Sequence, residues 1–140
     1  MAATSNLNIT KWTAGQSQPS VTDGTAKDIL DGFAGALVHN MTSAADYTLA
    51  TTGTEPFEWQ HLVVQVTDTN SPIWLDPASS PIGAANIVVP VYTKLYLLKN
   101  DTAATLTLKT AGGTGIAVAT LKWALLRCDG TNVVRITPDA

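Results

Sequence analysis

KLYLLKNDTAATLTLKTAGGTGIAVATLKWALLRCDGTNVVRIT, Lys94 to Thr137, is the stretch that decides the fold class. Short apolar runs alternate in it with compact turn signals. From Ala104 to Lys109 the alternation is strict, with Ala104, Leu106 and Leu108 on one side and Thr105, Thr107 and Lys109 on the other. A period of two is that of a strand with one buried face. Three punctuation points divide the run: Asn100-Asp101, Gly112-Gly113-Thr114-Gly115 and Asp129-Gly130-Thr131-Asn132. Each holds residues that tolerate positive φ or bond their own backbone, as tight β turns require.

Upstream, the same reading continues with less regularity. Ile87–Val91 is a predicted strand interrupted at Pro90, which places it at a sheet edge or a bulge. Ser71–Pro81 (SPIWLDPASSP) is a proline-punctuated loop carrying Trp74. Phe57–Thr67 predicts a longer strand, with Phe57, Trp59, His61 and Val63 on one face and Leu62, Val64 and Val66 on the other. Two apolar faces mark a central strand of a sandwich, or one covered by another subunit. Tyr47–Thr51 predicts a short strand. Between Thr25 and His39 the spacing changes to threes and fours at Ile29, Leu30, Phe33, Leu37 and Val38, which predicts a short helix capped by Thr25. Residues 1–24 are polar and turn-rich, with a strand expected at Leu7–Trp12, and read as an N-terminal arm. Residues 25–140 then form a single β-rich domain. The expected fold is mainly β, an antiparallel β-sandwich or small β-barrel with one short helix near 25–39. No repeat of 20–50 residues is visible, which argues against a solenoid or propeller.

The chain has 140 residues, enough for one domain with a core of its own. Charged residues are 14% of it, against about 25% in typical soluble domains. A surface so poor in charge is coated with small polar groups or covered by a neighbouring subunit. Eight Lys and Arg among eleven acids, net −3, make no basic stripe for nucleic acid. The N-terminus has no basic stretch leading into an apolar run, and no apolar run approaches the ~20 residues of a membrane span. A soluble protein made in a cytoplasm is the expectation. Asn-x-Thr triplets at Asn8, Asn40 and Asn100 are read as chance in a threonine-rich chain.

Residues that carry chemistry are few. His39 and His61 stand in no metal-ligand spacing. Glu55, Glu58, Asp68 and Asp76 commit to no acid/base pair. Gly112–Gly115 lacks the Lys-Ser/Thr of a phosphate loop. Cys128 sits within a predicted strand, where a buried, inert thiol is expected. No catalytic residue, metal site or cofactor is predicted. The aromatics remain: Trp12 and Trp74 in turn-rich contexts, Trp59 and Trp123 in strands, and Tyr92. Such side chains anchor interfaces and also stack on sugar rings. Trp12, Trp59, Trp74 and Tyr92 are therefore the candidate partner-contact residues.

The phrases KLYLLKND, LTLKTAGGTGIAV and ALLRCDGTNVV resemble a module of tailed-bacteriophage virion proteins, of tail-fibre and other structural types. Asp46–Leu49 and Asn86–Pro90 (NIVVP) are similar to the strands that precede that module, so the resemblance spans roughly Asp46 to Thr137. Ala119-Thr120-Leu121-Lys122 departs from its usual Gly-Lys turn, and the Trp74 loop and Met1–Asn40 are this chain's own. The resemblance implies a non-enzymatic virion protein, assembled in the host cytoplasm and working as a homo-oligomer, most simply a trimer. Its implied partners are the major capsid protein or other virion proteins. A chain of this length has no room for a long shaft, which favours a head decoration or cement protein or a short head fibre. The alternative is a tail-fibre or tail-tip adhesin that binds host surface carbohydrate through Trp74, Tyr92 or Trp12. A small polysaccharide hydrolase is a third reading.

Overall fold

A computed structural model describes residues 30, 32–52, 57–68 and 83–138. The arm at 1–24, the strand expected at Leu7–Trp12, Trp12 itself, and the 71–81 loop with Trp74 lie outside the described residues. Nine strands are described: β1 (Ala36–Met41), β2 (Tyr47–Thr48), β3 (Val63–Asp68), β4 (Ala85–Val89), β5 (Lys94–Asp101), β6 (Leu106–Thr110), β7 (Ile116–Val118), β8 (Trp123–Cys128) and β9 (Val133–Arg135). They form a five-stranded sheet in the order β1-β3-β5-β8-β9 and a four-stranded sheet in the order β2-β4-β6-β7. The mainly-β expectation holds. The sheets are open, and no closed barrel is present among the described residues.

The sheets are mixed, not antiparallel. From β1 to β6 the chain alternates between the two sheets, so that β1, β3 and β5 are parallel neighbours in one and β2, β4 and β6 in the other. Parallel neighbours need a crossover connection; here a strand of the opposite sheet supplies it. This winding coils three times, with Ala36, Val63 and Leu97 in register at equivalent positions. Unequal lengths of chain separate those positions, so the coil leaves no fixed sequence period. Only the last strands pair antiparallel: β7 to β6 and β9 to β8 through hairpins, and β8 to β5 after the chain has passed through β6 and β7 of the other sheet.

The turn signals accordingly divide into two kinds. Gly112–Gly115 and Asp129–Asn132 close true hairpins. Asn100-Asp101 instead leads from β5 across to β6 in the other sheet. Asn100 is fully buried there. Its Nδ2 donates to the carbonyls of Ala104 at 2.8 Å, Val118 at 3.0 Å and Ala119 at 3.1 Å, and its Oδ1 accepts from Thr102 N and Oγ1. A buried amide is tolerated because both its ends are satisfied.

At the opposite end of the sandwich the two hairpin loops are tied together. Thr110 Oγ1 donates to Thr131 O and accepts from Gly113 N. Thr114 N donates to Asn132 Oδ1 at 2.8 Å, and Val133 N to Thr114 O at 3.0 Å. Asp129 Oδ1 accepts from Thr131 and Asn132 N, closing an Asx turn around Gly130, whose φ is +99°. The core between the sheets comes from the inward half of each alternation: Val64, Val66, Tyr96, Leu98, Leu126 and Val133 against Leu49, Ile87, Val89, Leu106, Leu108 and Val118, all buried. Cys128 is fully buried among them. Each such side chain contributes on the order of 2 kcal/mol of apolar burial.

Three local expectations are corrected. The expected short helix is present, with helical backbone at 30 and 32–34 among the described residues, but Leu37 and Val38, read as part of its spacing, belong to β1; the threes-and-fours spacing runs across a helix-to-strand junction at Gly35. Phe57–Leu62 is not strand. Glu58–Gln60 forms a 3-10 turn, because the Gln60 side chain reaches back to accept from Phe57 N at 2.7 Å. Finally, β4 ends at Val89 and is an interior strand, so Pro90 follows it without interrupting a ladder. β3 is an interior strand as expected, although within it only Val64 and Val66 form an apolar face, the other carrying Val63, Gln65 and Thr67.

Candidate functional site

Of the candidate aromatics, the structure brings Trp59 and Tyr92 together. Their ring centroids are 4.9 Å apart at 41°. Trp59 comes from the 3-10 turn. Tyr92 comes from the β4–β5 turn, where Tyr92 N donates to Pro90 O at 2.8 Å. Trp59 packs against the core edge, while Tyr92 is 52% exposed beside an equally open Val91.

Lys94, the first residue of β5, lies behind this pair. Its Nζ donates to Trp59 O and, at 2.8 Å, to His61 O, and stands 5.5 Å from the Trp59 ring centroid and 4.9 Å from that of Tyr96. Burial lowers its pKa to about 8. Two carbonyls and two ring faces compensate the ammonium where water does not. Tyr96 is fully buried and its phenol is pushed up, first by burial. Sequence periodicity pointed to neither residue: each reads as an ordinary strand position, and the carbonyls that hold Lys94 lie more than thirty residues away.

Glu58 anchors the turn from its other side. Tyr47 Oη donates to Glu58 Oε1 and Ala50 N to Oε2 at 2.7 Å, while His39 stacks on Tyr47 with centroids 3.4 Å apart. Burial lowers the pKa of His39 against the opposing pull of Glu58. Burial likewise lowers that of His61, reinforced by Lys94 and opposed by the Gly35 and Gly32 backbone. An open cavity of about 230 Å³ adjoins His39 and Tyr47 and is lined by Asn40, Thr42, Ser43 and Asp46. Asp46 is engaged in holding Asn86, through N at 3.1 Å and Nδ2 at 2.9 Å. Among the described residues no group of three or more His, Cys, Asp or Glu side chains is placed to hold a metal ion. No described helix is long and apolar enough to cross a membrane.

The outer faces of the two sheets differ sharply. The four-stranded sheet shows Thr48, Asn86, Thr107 and Lys109, with Val88 and Ala117 between them. The five-stranded sheet shows Val38, Leu95, Trp123 and Val134, all 38% exposed or more. Trp123, expected to be a strand residue, is one, with Lys99 Nζ 5.0 Å above its ring. The chain matches no protein-family model, no curated protein and no solved structure.

Proposed function

We propose that the chain is a non-enzymatic structural protein of a tailed-phage particle, a homo-oligomer that decorates or cements the head or forms a short head fibre. The observation that carries this reading is the tie between the two C-terminal hairpin loops. The residues that bear the resemblance to phage virion modules, Thr110, Gly113, Thr114, Thr131 and Asn132, are the ones that lock one sheet to the other. Their role is mechanical: they hold a rigid sandwich together at one end. A rigid unit repeated at every equivalent site of a shell gains attachment strength from multiplicity, with each contact individually modest.

Head attachment is tested by mixing the purified chain with pre-expanded empty heads. Co-sedimentation and raised heat resistance of the heads are expected. A labelled antibody that fails to find the chain anywhere on intact virions would overturn the reading.

A second reading is favoured by the open Tyr92 ring tilted on Trp59. An exposed aromatic pair is a stacking platform for a sugar ring, which fits a tail-tip adhesin. Binding to host cells that is abolished by Tyr92→Ala, with no binding to heads, would establish that reading in place of the first.

A further inference from the structure

We infer that the outer face of the five-stranded sheet is the contact through which copies of this chain pack on one another. The register sets an unbroken apolar row across all five strands: Ala36 beside Val63, Val63 beside Leu97, Leu97 beside Leu125. Ile136 completes it, its N–H donating to Leu125 O at 2.9 Å. Leu95 and Val134 flank the row on one side, Val38 and Trp123 on the other. A solvated sheet face alternates inward apolar with outward polar residues. The four-stranded sheet of this protein follows that rule and the five-stranded sheet breaks it.

Size and charge select the occupant. Five strands at ~4.8 Å spacing and about six residues long span roughly 24 Å by 20 Å, on the order of 500 Å² before side-chain relief is counted. Two such faces together remove on the order of 1,000 Å² or more, the threshold at which an interface becomes specific. The apolar row lies at the centre of that area, with Gln65, Lys99 and Arg127 interspersed among its flanking residues, and an exposed contiguous apolar patch is a mark of a contact surface. Lys99 and Asp101 on the face offset one another: Lys99 Nζ lies 2.7 Å from Asp101 Oδ2, which also accepts from Gln65 Nε2 at 2.7 Å. Arg127 is the one further charge on this face among the described residues, so they present no block of one sign for a nucleic acid, an anionic membrane or a strongly charged protein to recognise. An apolar centre with a self-matched rim fits an identical face brought against it by a symmetry axis, as closed homo-oligomers require.

This assignment rests on the oligomeric part of the proposed function and can fail independently of the virion part. The test uses the full chain in sedimentation velocity across micromolar to near-millimolar concentration, with near-ultraviolet circular dichroism as the check on folding. Wild type is expected to exceed the 14.7 kDa of one chain. Leu97→Lys, at the centre of the row, should weaken self-association by roughly thirtyfold or more, the loss a central hot spot carries. Thr107→Lys, on the polar face, should leave it unchanged. As a variant that does not perturb the row by charge, Leu125→Cys should react with a thiol reagent more slowly as protein concentration rises.

A wild-type chain that stays at 14.7 kDa throughout would overturn the assignment. So would a folded Leu97→Lys that remains assembled, or a Leu125→Cys reactivity that is slow at every concentration, since the chain's own residues would then cover the face. Head binding by a chain that never self-associates would defeat this inference and leave the virion reading standing. Self-association through the face, with no place on the virion, would do the reverse.

Discussion

Gly113 lies so close to Thr131 that a Cβ on it would fall 1.9 Å from the Thr131 carbonyl oxygen and 2.4 Å from Thr110 Oγ1. At Gly113 the two loops meet backbone to backbone, and only glycine permits that approach. Gly112, one residue earlier, has nothing within 4 Å of the same position. Gly113→Ala is therefore expected to cost about 3 kcal/mol in urea unfolding, while Gly112→Ala stays within about 0.5 kcal/mol of wild type. Equal effects at the two glycines would show that the loops do not depend on this contact.

Asn100 is the corresponding tie at the other end of the sandwich. Asn100→Ala removes the donor shared by three carbonyls and the acceptor for Thr102, leaving buried polar groups without partners. Each such group costs about 1–3 kcal/mol. A total loss of about 3–5 kcal/mol in denaturant unfolding is expected, and a loss below 1 kcal/mol would contradict the buried hub. The same burial makes Asn100 a poor glycan acceptor despite its Asn-x-Thr context.

Leu121 occupies the left-handed region, with φ of 57°, in the turn where Lys122 N reaches Ala119 O. A branched side chain there costs about 1–2 kcal/mol, and asparagine tolerates the conformation better. Leu121 is 56% exposed, so little burial is forfeited. Leu121→Asn is expected to raise the midpoint of thermal unfolding. A lowered midpoint would mean that the leucine makes a contact worth more than its strain.

Lys94 should titrate near 8, visible in the carbon-13 shift of its methylated Nζ. The unfolded chain holds its proton up to the ordinary 10.5. Between about 8 and 10.5 the unfolded state binds the proton that the folded state has released, so this group makes stability rise with pH across that window. Below about 8 both states are protonated and the slope from Lys94 vanishes. A Lys94 signal titrating at 10.5 would show that water reaches the ammonium freely.

His39 and His61 act in the same direction lower on the scale. Both have pKa values held below the ordinary 6.5, chiefly by burial. Above 6.5 they are neutral in both states. As pH falls below 6.5 the unfolded chain takes up protons first, so stability declines with acidification before the carboxylates titrate. The unfolding free energy of a His39→Gln, His61→Gln double variant should vary less between neutrality and about pH 5.5 than that of wild type. An identical slope would assign the loss to other groups.

The strict alternation of Ala104–Lys109 was enough to identify β6, because a period of two depends only on which neighbours face the core. The Gly112–Gly115 and Asp129–Asn132 turns were legible for a similar reason: their geometry is satisfied within a few residues. Trp59 and Tyr92 could be named as contact residues from type and context. Their meeting could not be foreseen, since it depends on a 3-10 turn held by Tyr47 and Ala50 through Glu58. Strand pairing was equally hidden. Alternation shows that a strand has two faces and is silent on which sheet each strand enters, so a coil of parallel strands and a stack of hairpins read alike. A mainly-β chain, its turns and its apolar residues were thus legible from local pattern. The alignment of Ala36, Val63, Leu97, Leu125 and Ile136 in one row on the outside of a sheet emerges from strand pairing alone, because register between distant strands is set by long-range hydrogen bonding that no local pattern encodes.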